Sequence, residues 1–194
     1  SEFLETHEHC HSESARASEA IEETKRCLNC GCVAVNASDL APILIALEAK
    51  IVTTKRTIPA QSFFAAATQS STVLASDELV KEICLPPVRA GVSQTYLKFR
   101  LRNAIDFPIV GVATVLGIKG GRIDTARVVL GAVAPVPLRM NGVEKFLVGK
   151  VPTLELAELA GEVATRDAKP LGKNRYKLQI VKTLLKRAIL KVIE

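Results

Sequence analysis

Two long apolar runs separated by Gly120-Gly121 constrain this chain more than any other feature of it. Val110–Ile118 is apolar at nearly every position, so it reads as a buried strand. Arg122–Ala134 follows as a second strand, and a Gly-Gly pair between two such runs marks a hairpin. Thr95–Leu101 supplies a strand before the pair, and Pro135 and Pro137 end the strand after it. Apolar residues then recur with helical spacing in Asn141–Val148, Thr153–Ala164 and Asn174–Ile193. Strands first and helices afterwards predict an α+β arrangement, a three-stranded antiparallel sheet covered on one face by a helical bundle.

The residues before Gly91 have a different texture. Val33–Val35 is a short β signal, and Ser38 or Asp39 can cap a helix whose apolar positions are Ile43, Leu44 and Leu47. Ile51–Thr54 reads as a strand, and Thr57–Phe64 as a loop entering a helical turn. Ser76–Pro87 reads as a helix or turn followed by a strand that Pro86-Pro87 stops. Residues 1–26 are polar and rich in Glu, Ser and Ala, turn helical around Glu13–Arg26, and hold His7, His9, His11 and Cys10.

Of the 194 residues, 48% are apolar and none is Trp, enough for an aliphatic core. No run of about 18 uncharged apolar residues occurs, so no membrane span is expected. The first residues lack the basic-then-apolar pattern of a signal peptide, and the absence of an initiator Met suggests a processed or excised piece. Residues 1–23 carry seven acids against Arg16 alone, whereas 169–191 carry eight bases and no acid. Leu178, Val181, Leu185, Ala188 and Val192 recur at helical spacing among those bases, so the segment reads as an amphipathic helix with a solvated Lys/Arg face. With two Tyr and six Phe there is little to stack on bases, and nucleic-acid binding is not expected.

Five stretches now stand in order: Ser38–Phe64, then "TVLASDELVKEICLP" (Thr72–Pro86), "YLKFRLRNAIDFPIVGVA", "ARVVLGAVAPVPLR" and "VEKFLVG". Together they resemble the FAD-binding subunit of the molybdenum hydroxylases, the group of xanthine dehydrogenase and aerobic carbon monoxide dehydrogenase. The most specific part is Tyr96, Lys98, Arg102, Ala104 and Asp106 in a Tyr-x-Lys-x-x-x-Arg-x-Ala-x-Asp arrangement. The resemblance runs from about Val33 to the C-terminus. It implies 1–32 as an acidic linker with a cysteine cluster, 33–87 as the end of a partial α/β FAD subdomain, and 88–194 as the flavoprotein's C-terminal sheet-and-helix domain.

The resemblance also implies a cytoplasmic flavoprotein that passes electrons between iron–sulfur clusters and a pyridine nucleotide or other acceptor. Its partners would be iron–sulfur and molybdopterin subunits of one complex. Asp39 would accept hydrogen bonds from flavin ribityl or ribose hydroxyls. Val80 would lie against the isoalloxazine ring, and Lys98 would face the nucleotide cleft and favour the anionic reduced flavin. Read without the resemblance, the same residues are an N-cap, a core side chain and a solvated strand lysine. The family's glycine-rich pyrophosphate loop and its later Gly-Asn turn do not occur in these 194 residues. Such backbone N–H clusters anchor a dinucleotide, so the chain is expected to bind FAD weakly at most and not to be catalytically competent alone.

Cys27, Cys30 and Cys32 close the amino-terminal segment. "EAIEETKRCLNCGC" is similar to an Fe–S segment of the glutamate synthase small subunit and related pyridine-nucleotide oxidoreductases. Three readings stay open: free thiols, a [4Fe–4S] cluster with Cys10 as a further ligand, and a zinc site using Cys10, Cys27, Cys30 and a histidine. Cys84 is expected as a small hydrophobe inside its strand. No Ser/His or Cys/His pairing for nucleophilic catalysis is evident. The alternative to an electron-transfer flavoprotein is a docking domain that no longer binds FAD, with the basic helix as its contact surface.

Overall fold

The computed structural model describes residues 34–66, 70–103, 105–171 and 173–191. Helix α1 (Leu40–Ala46) leads into strand β1 (Lys50–Thr53), β2 (Thr57–Pro59), the turn helix α2 (Ala60–Phe63) and β3 (Val80–Cys84). These strands make a three-stranded antiparallel sheet in the order β2-β1-β3. A second sheet holds β4 (Val92–Phe99), β5 (Val110–Lys119), β6 (Arg122–Gly131) and the two-residue β7 (Leu138–Arg139), all antiparallel and in that order. Helices α3 (Asn141–Leu147), α4 (Leu154–Thr165) and α5 (Tyr176–Leu190) complete the chain. The α+β expectation holds, with a short fourth strand added to the larger sheet.

The predicted hairpin is β5–β6. Gly120 and Gly121 both take positive φ, 59° and 72°, where a side chain would be strained. β6 ends at Gly131, earlier than the expected Ala134, because Ala132 turns into the left-handed region at φ 62°. Strand β5 is buried from Val110 to Gly117 because both of its faces are covered. Val110, Val112 and Leu116 pack with Leu147, Leu185 and Ile189 of the helices. Ala113 and Val115, pointing the other way, pack with Leu44, Ile45 and Ile51 of the first module. The sheet expected to carry helices on one face is therefore the middle layer of three.

Helices α4 and α5 meet at Gly161, where an added Cβ would stand 3.1 Å from the Lys182 Cα. Across their rim Lys182 pairs with Glu162 at 2.6 Å and Lys186 with Glu158 at 2.7 Å. In α5 the predicted apolar stripe is present: Val181, Leu185 and Ala188 are buried. No helix among the described residues is long and apolar enough to cross a membrane.

Two expectations need correction. Ala34–Ser38 is irregular chain rather than a strand. It is tied instead by two backbone bonds, Asn36 N to Ala134 O at 2.9 Å and Ala132 N to Asn36 O at 3.0 Å. Cys84 is an exposed free thiol, because β3 is the outer strand of a sheet with no cover over it. Cys10, Cys27, Cys30 and Cys32, with the three histidines and the Glu13–Arg26 helix, lie outside the described residues. Among the described residues, no group of three or more His, Cys, Asp or Glu side chains could hold a metal ion.

Candidate functional site

The N-terminus of α1 meets the C-terminal end of β4. Ser38 rather than Asp39 closes the helix turn: the Ala41 N–H donates to Ser38 Oγ at 3.1 Å, and Asp39 makes no side-chain cap. That leaves the Asp39 carboxylate available to β4. Tyr96 and Lys98 stand two residues apart on β4 and so share one face of it. The Tyr96 hydroxyl donates to Asp39 Oδ1 at 2.8 Å, and Lys98 Nζ lies 2.6 Å from Asp39 Oδ2. Lys98 Nζ also donates to the Asp106 carbonyl at 2.5 Å.

The Asp106 side chain braces the loop that follows β4. It accepts from the backbone N–H of Arg102 at 2.9 Å and of Phe107 at 3.0 Å, with Arg102 Nη2 at 3.4 Å. These bonds, the Arg102 N–H above all, hold its carboxyl below the usual range. Burial, reinforced by the Asp39 carboxylate, pushes the Tyr96 phenol well above its ordinary value, so this hydroxyl stays a donor. Gly111, paired with Lys98 across the strands, makes room for the Tyr96 ring: a Cβ there would stand 2.8 Å from the Tyr96 hydroxyl.

Four of the five motif residues are thus in one hydrogen-bonded network, which explains the motif's spacing. Lys98 does not stand alone in a cleft. Its side chain is 15% exposed and turned onto Asp39, whose own side chain is 46% exposed. Val80 is not part of this network; it lies half-exposed on β3, in the other sheet. The sequence reading missed Tyr96 as a site residue, although the two-residue interval to Lys98 places both on one strand face. Around the network the chain exposes Leu40, Phe99, Leu101, Ile105 and Phe107, a polar centre beside large apolar side chains.

Comparison with known proteins decides the family. Residues 94–192 match the CO dehydrogenase flavoprotein C-terminal domain, about half of the chain. Residues 30–88 match the FAD binding domain in molybdopterin dehydrogenase. The chain belongs to the flavoprotein family of the molybdopterin dehydrogenases. Within that family it is similar to the carbon monoxide dehydrogenase medium chain of Hydrogenophaga pseudoflava, 31% identical over 78% of this chain and 55% of the relative. It is also similar to the glyceraldehyde dehydrogenase medium chain of Sulfolobus acidocaldarius, 30% identical over 80% of this chain and 57% of the relative.

Among solved structures, the Hydrogenophaga pseudoflava carbon monoxide dehydrogenase superposes with a TM-score of 0.72 at 31% identity, covering 79% of this chain and 55% of that one. Quinoline 2-oxidoreductase from Pseudomonas putida 86 follows the same fold, with a TM-score of 0.69 at 25% identity over 82% of this chain and 57% of that one. The chain spans just over half the length of these flavoprotein-family relatives. The likeness of residues 1–32 to a glutamate synthase segment finds no counterpart in these comparisons.

Proposed function

We propose that this chain is the FAD-carrying portion of a molybdenum-hydroxylase-type oxidoreductase, and that the Asp39–Tyr96–Lys98 network is its flavin-facing site. The observation that carries the reading is the half-exposed Asp39 carboxylate, fixed by one donor on each oxygen. A carboxylate has about four acceptor positions, so each oxygen keeps capacity for a ligand hydroxyl. Vicinal hydroxyls of a ribityl chain suit that surface, and the exposed Leu40, Phe99 and Phe107 suit a flat apolar ring beside it. FAD, when bound, supplies two-electron chemistry that can be split into single-electron steps.

The chain's own residues then have distinct roles. Asp39 binds ligand hydroxyls, Tyr96 holds Asp39 in orientation, and Lys98 keeps a positive charge beside the site while offsetting the Asp39 charge. Val80, exposed on β3, is the proposed apolar wall for the ring. In an assembled complex the electrons would pass between iron–sulfur clusters and a pyridine nucleotide or other acceptor, with the other subunits as partners; the family relatives named as medium chains support this. The thiols Cys27, Cys30 and Cys32 keep their three readings as proposals.

Fluorescence titration of FAD and of riboflavin into the 194-residue chain tests the assignment. Because the family's pyrophosphate loop is not among these residues, both ligands are expected to bind with similar, weak affinity, on the order of 100 µM. Asp39→Asn should weaken both equally, by about tenfold to a hundredfold for one hydrogen bond to a charged group. Absence of saturable binding by either ligand, or unaltered binding by Asp39→Asn, would overturn the proposal.

A further inference from the structure

The two ends of this chain carry opposite charge. Residues 2–23 hold seven acids against Arg16 alone; Lys25 and Arg26 follow, and residues 1–33 together keep a net charge of −4. The connection from α4 to α5 has the reverse bias. Arg166, Lys169, Lys173, Arg175 and Lys177 face a single acid of that stretch, Asp167. The first four of these bases are exposed and Lys177 is half-buried. None of the five forms an ion pair among the described residues. Further along the helix pair, Lys182 and Lys186 are already matched to Glu162 and Glu158, so the unbalanced charge lies at the connection.

Exposed cations are satisfied by water, and an unpaired one is not in itself a site. What distinguishes this cluster is where the acidic segment leaves the fold. Asn36, near the start of the described residues, is anchored by backbone bonds to Ala132 and Ala134. Lys177 Nζ donates to the carbonyl of the same Ala132 at 2.9 Å. The segment that precedes Ala34 therefore departs beside the first turn of α5, at the base of the basic cluster. Glu23 is eleven residues before Ala34, a reach of up to about 40 Å. So short a tether keeps the effective concentration on the order of millimolar, which lets individually weak surface pairs act together.

We propose that the basic connection from Arg166 to Lys177 is a docking surface for this chain's own acidic segment, residues 2–23. The carboxylates of Glu19, Glu22 and Glu23, closest in sequence to the anchor, face Lys173, Arg175 and Lys177. The contact goes beyond the flavin reading and does not rest on it.

Backbone amide shifts of the full chain test this in about 10 mM salt, where screening reaches about 30 Å, and in about 1 M, where it falls to about 3 Å. In low salt the Lys173–Lys177 amides are expected to differ between the wild type and the triple variant Glu19→Gln, Glu22→Gln, Glu23→Gln. In high salt the two spectra should coincide there. Asp39→Asn, which acts on the flavin proposal alone, should leave these amides unmoved. In the wild type, the amides of Glu19–Glu23 and of Lys173–Lys177 should move together on salt addition, with one midpoint that dilution does not change. Absence of that joint movement overturns the proposal even if the triple variant fails to fold. So do identical low-salt spectra of the wild type and a folded variant, or a difference that survives 1 M salt. Shifts that fade on dilution would overturn it too, by showing contact between two copies of the chain.

Discussion

Single residues are fixed by short contacts with their neighbours, and two of them predict clear mutational outcomes. Gly111 exists as glycine because the Tyr96 hydroxyl occupies the space of its missing Cβ. In an ordinary strand Gly→Ala is favourable by about 0.5–1 kcal/mol. Here Gly111→Ala has to displace the Tyr96 ring and its bond to Asp39, so a net loss of about 1–3 kcal/mol is expected by urea unfolding. Glu78 is the second case. It is buried and held to a carboxyl pKa of about 2, first by Arg56, then by the Thr53 hydroxyl and the Ala75 N–H. A lowered folded pKa contributes stability that is present above the unfolded value, about 4.3, and is lost as pH falls toward 2. Urea midpoints of the wild type should therefore fall between about pH 4.5 and 2, and Glu78→Gln should be less stable at neutral pH with a flatter profile in that window. Parallel profiles for the two proteins would contradict this account.

At the scale of elements, the close approach of α4 to α5 depends on Gly161. Alanine in a helix is favoured over glycine by about 1 kcal/mol, but the added Cβ would press on the Lys182 backbone rather than on a flexible side-chain end. Gly161→Ala is expected to lower stability by about 1–2 kcal/mol in spite of its propensity gain, read as a lower melting temperature. A rise would show that the helices can separate freely. The elements themselves are largely legible in the sequence. The β5–β6 hairpin follows from apolar continuity and Gly120-Gly121, and α3, α4 and α5 from helical spacing, because these signals are local. What resists is non-local. Nothing about Ala132 marks it as left-handed, so apolar continuity alone carries β6 three residues too far. The apolarity of Ile83–Leu85 does not reveal that β3 lies at an uncovered edge, which leaves Cys84 exposed. At the site, Asp39 and Lys98 come from motif resemblance, and their mutual ion pair cannot be read from residues 59 apart in sequence.

The molecule as a whole is a three-layer arrangement in which the larger sheet serves both sides. Its β5 contributes alternate residues to the helical core and to the first module's core, so the two parts share one strand as their common wall. That sharing positions Asp39 of the first module against Tyr96 and Lys98 of the second. The flavin-facing claim therefore depends on a junction, and a map of where flavin touches the chain tests it most directly. Backbone amide shifts on riboflavin addition should concentrate in Asp39–Leu40, Tyr96–Phe99 and Arg102–Phe107, with Val80 among them. Shifts confined to α4 and α5, or none at saturating ligand, would contradict the account.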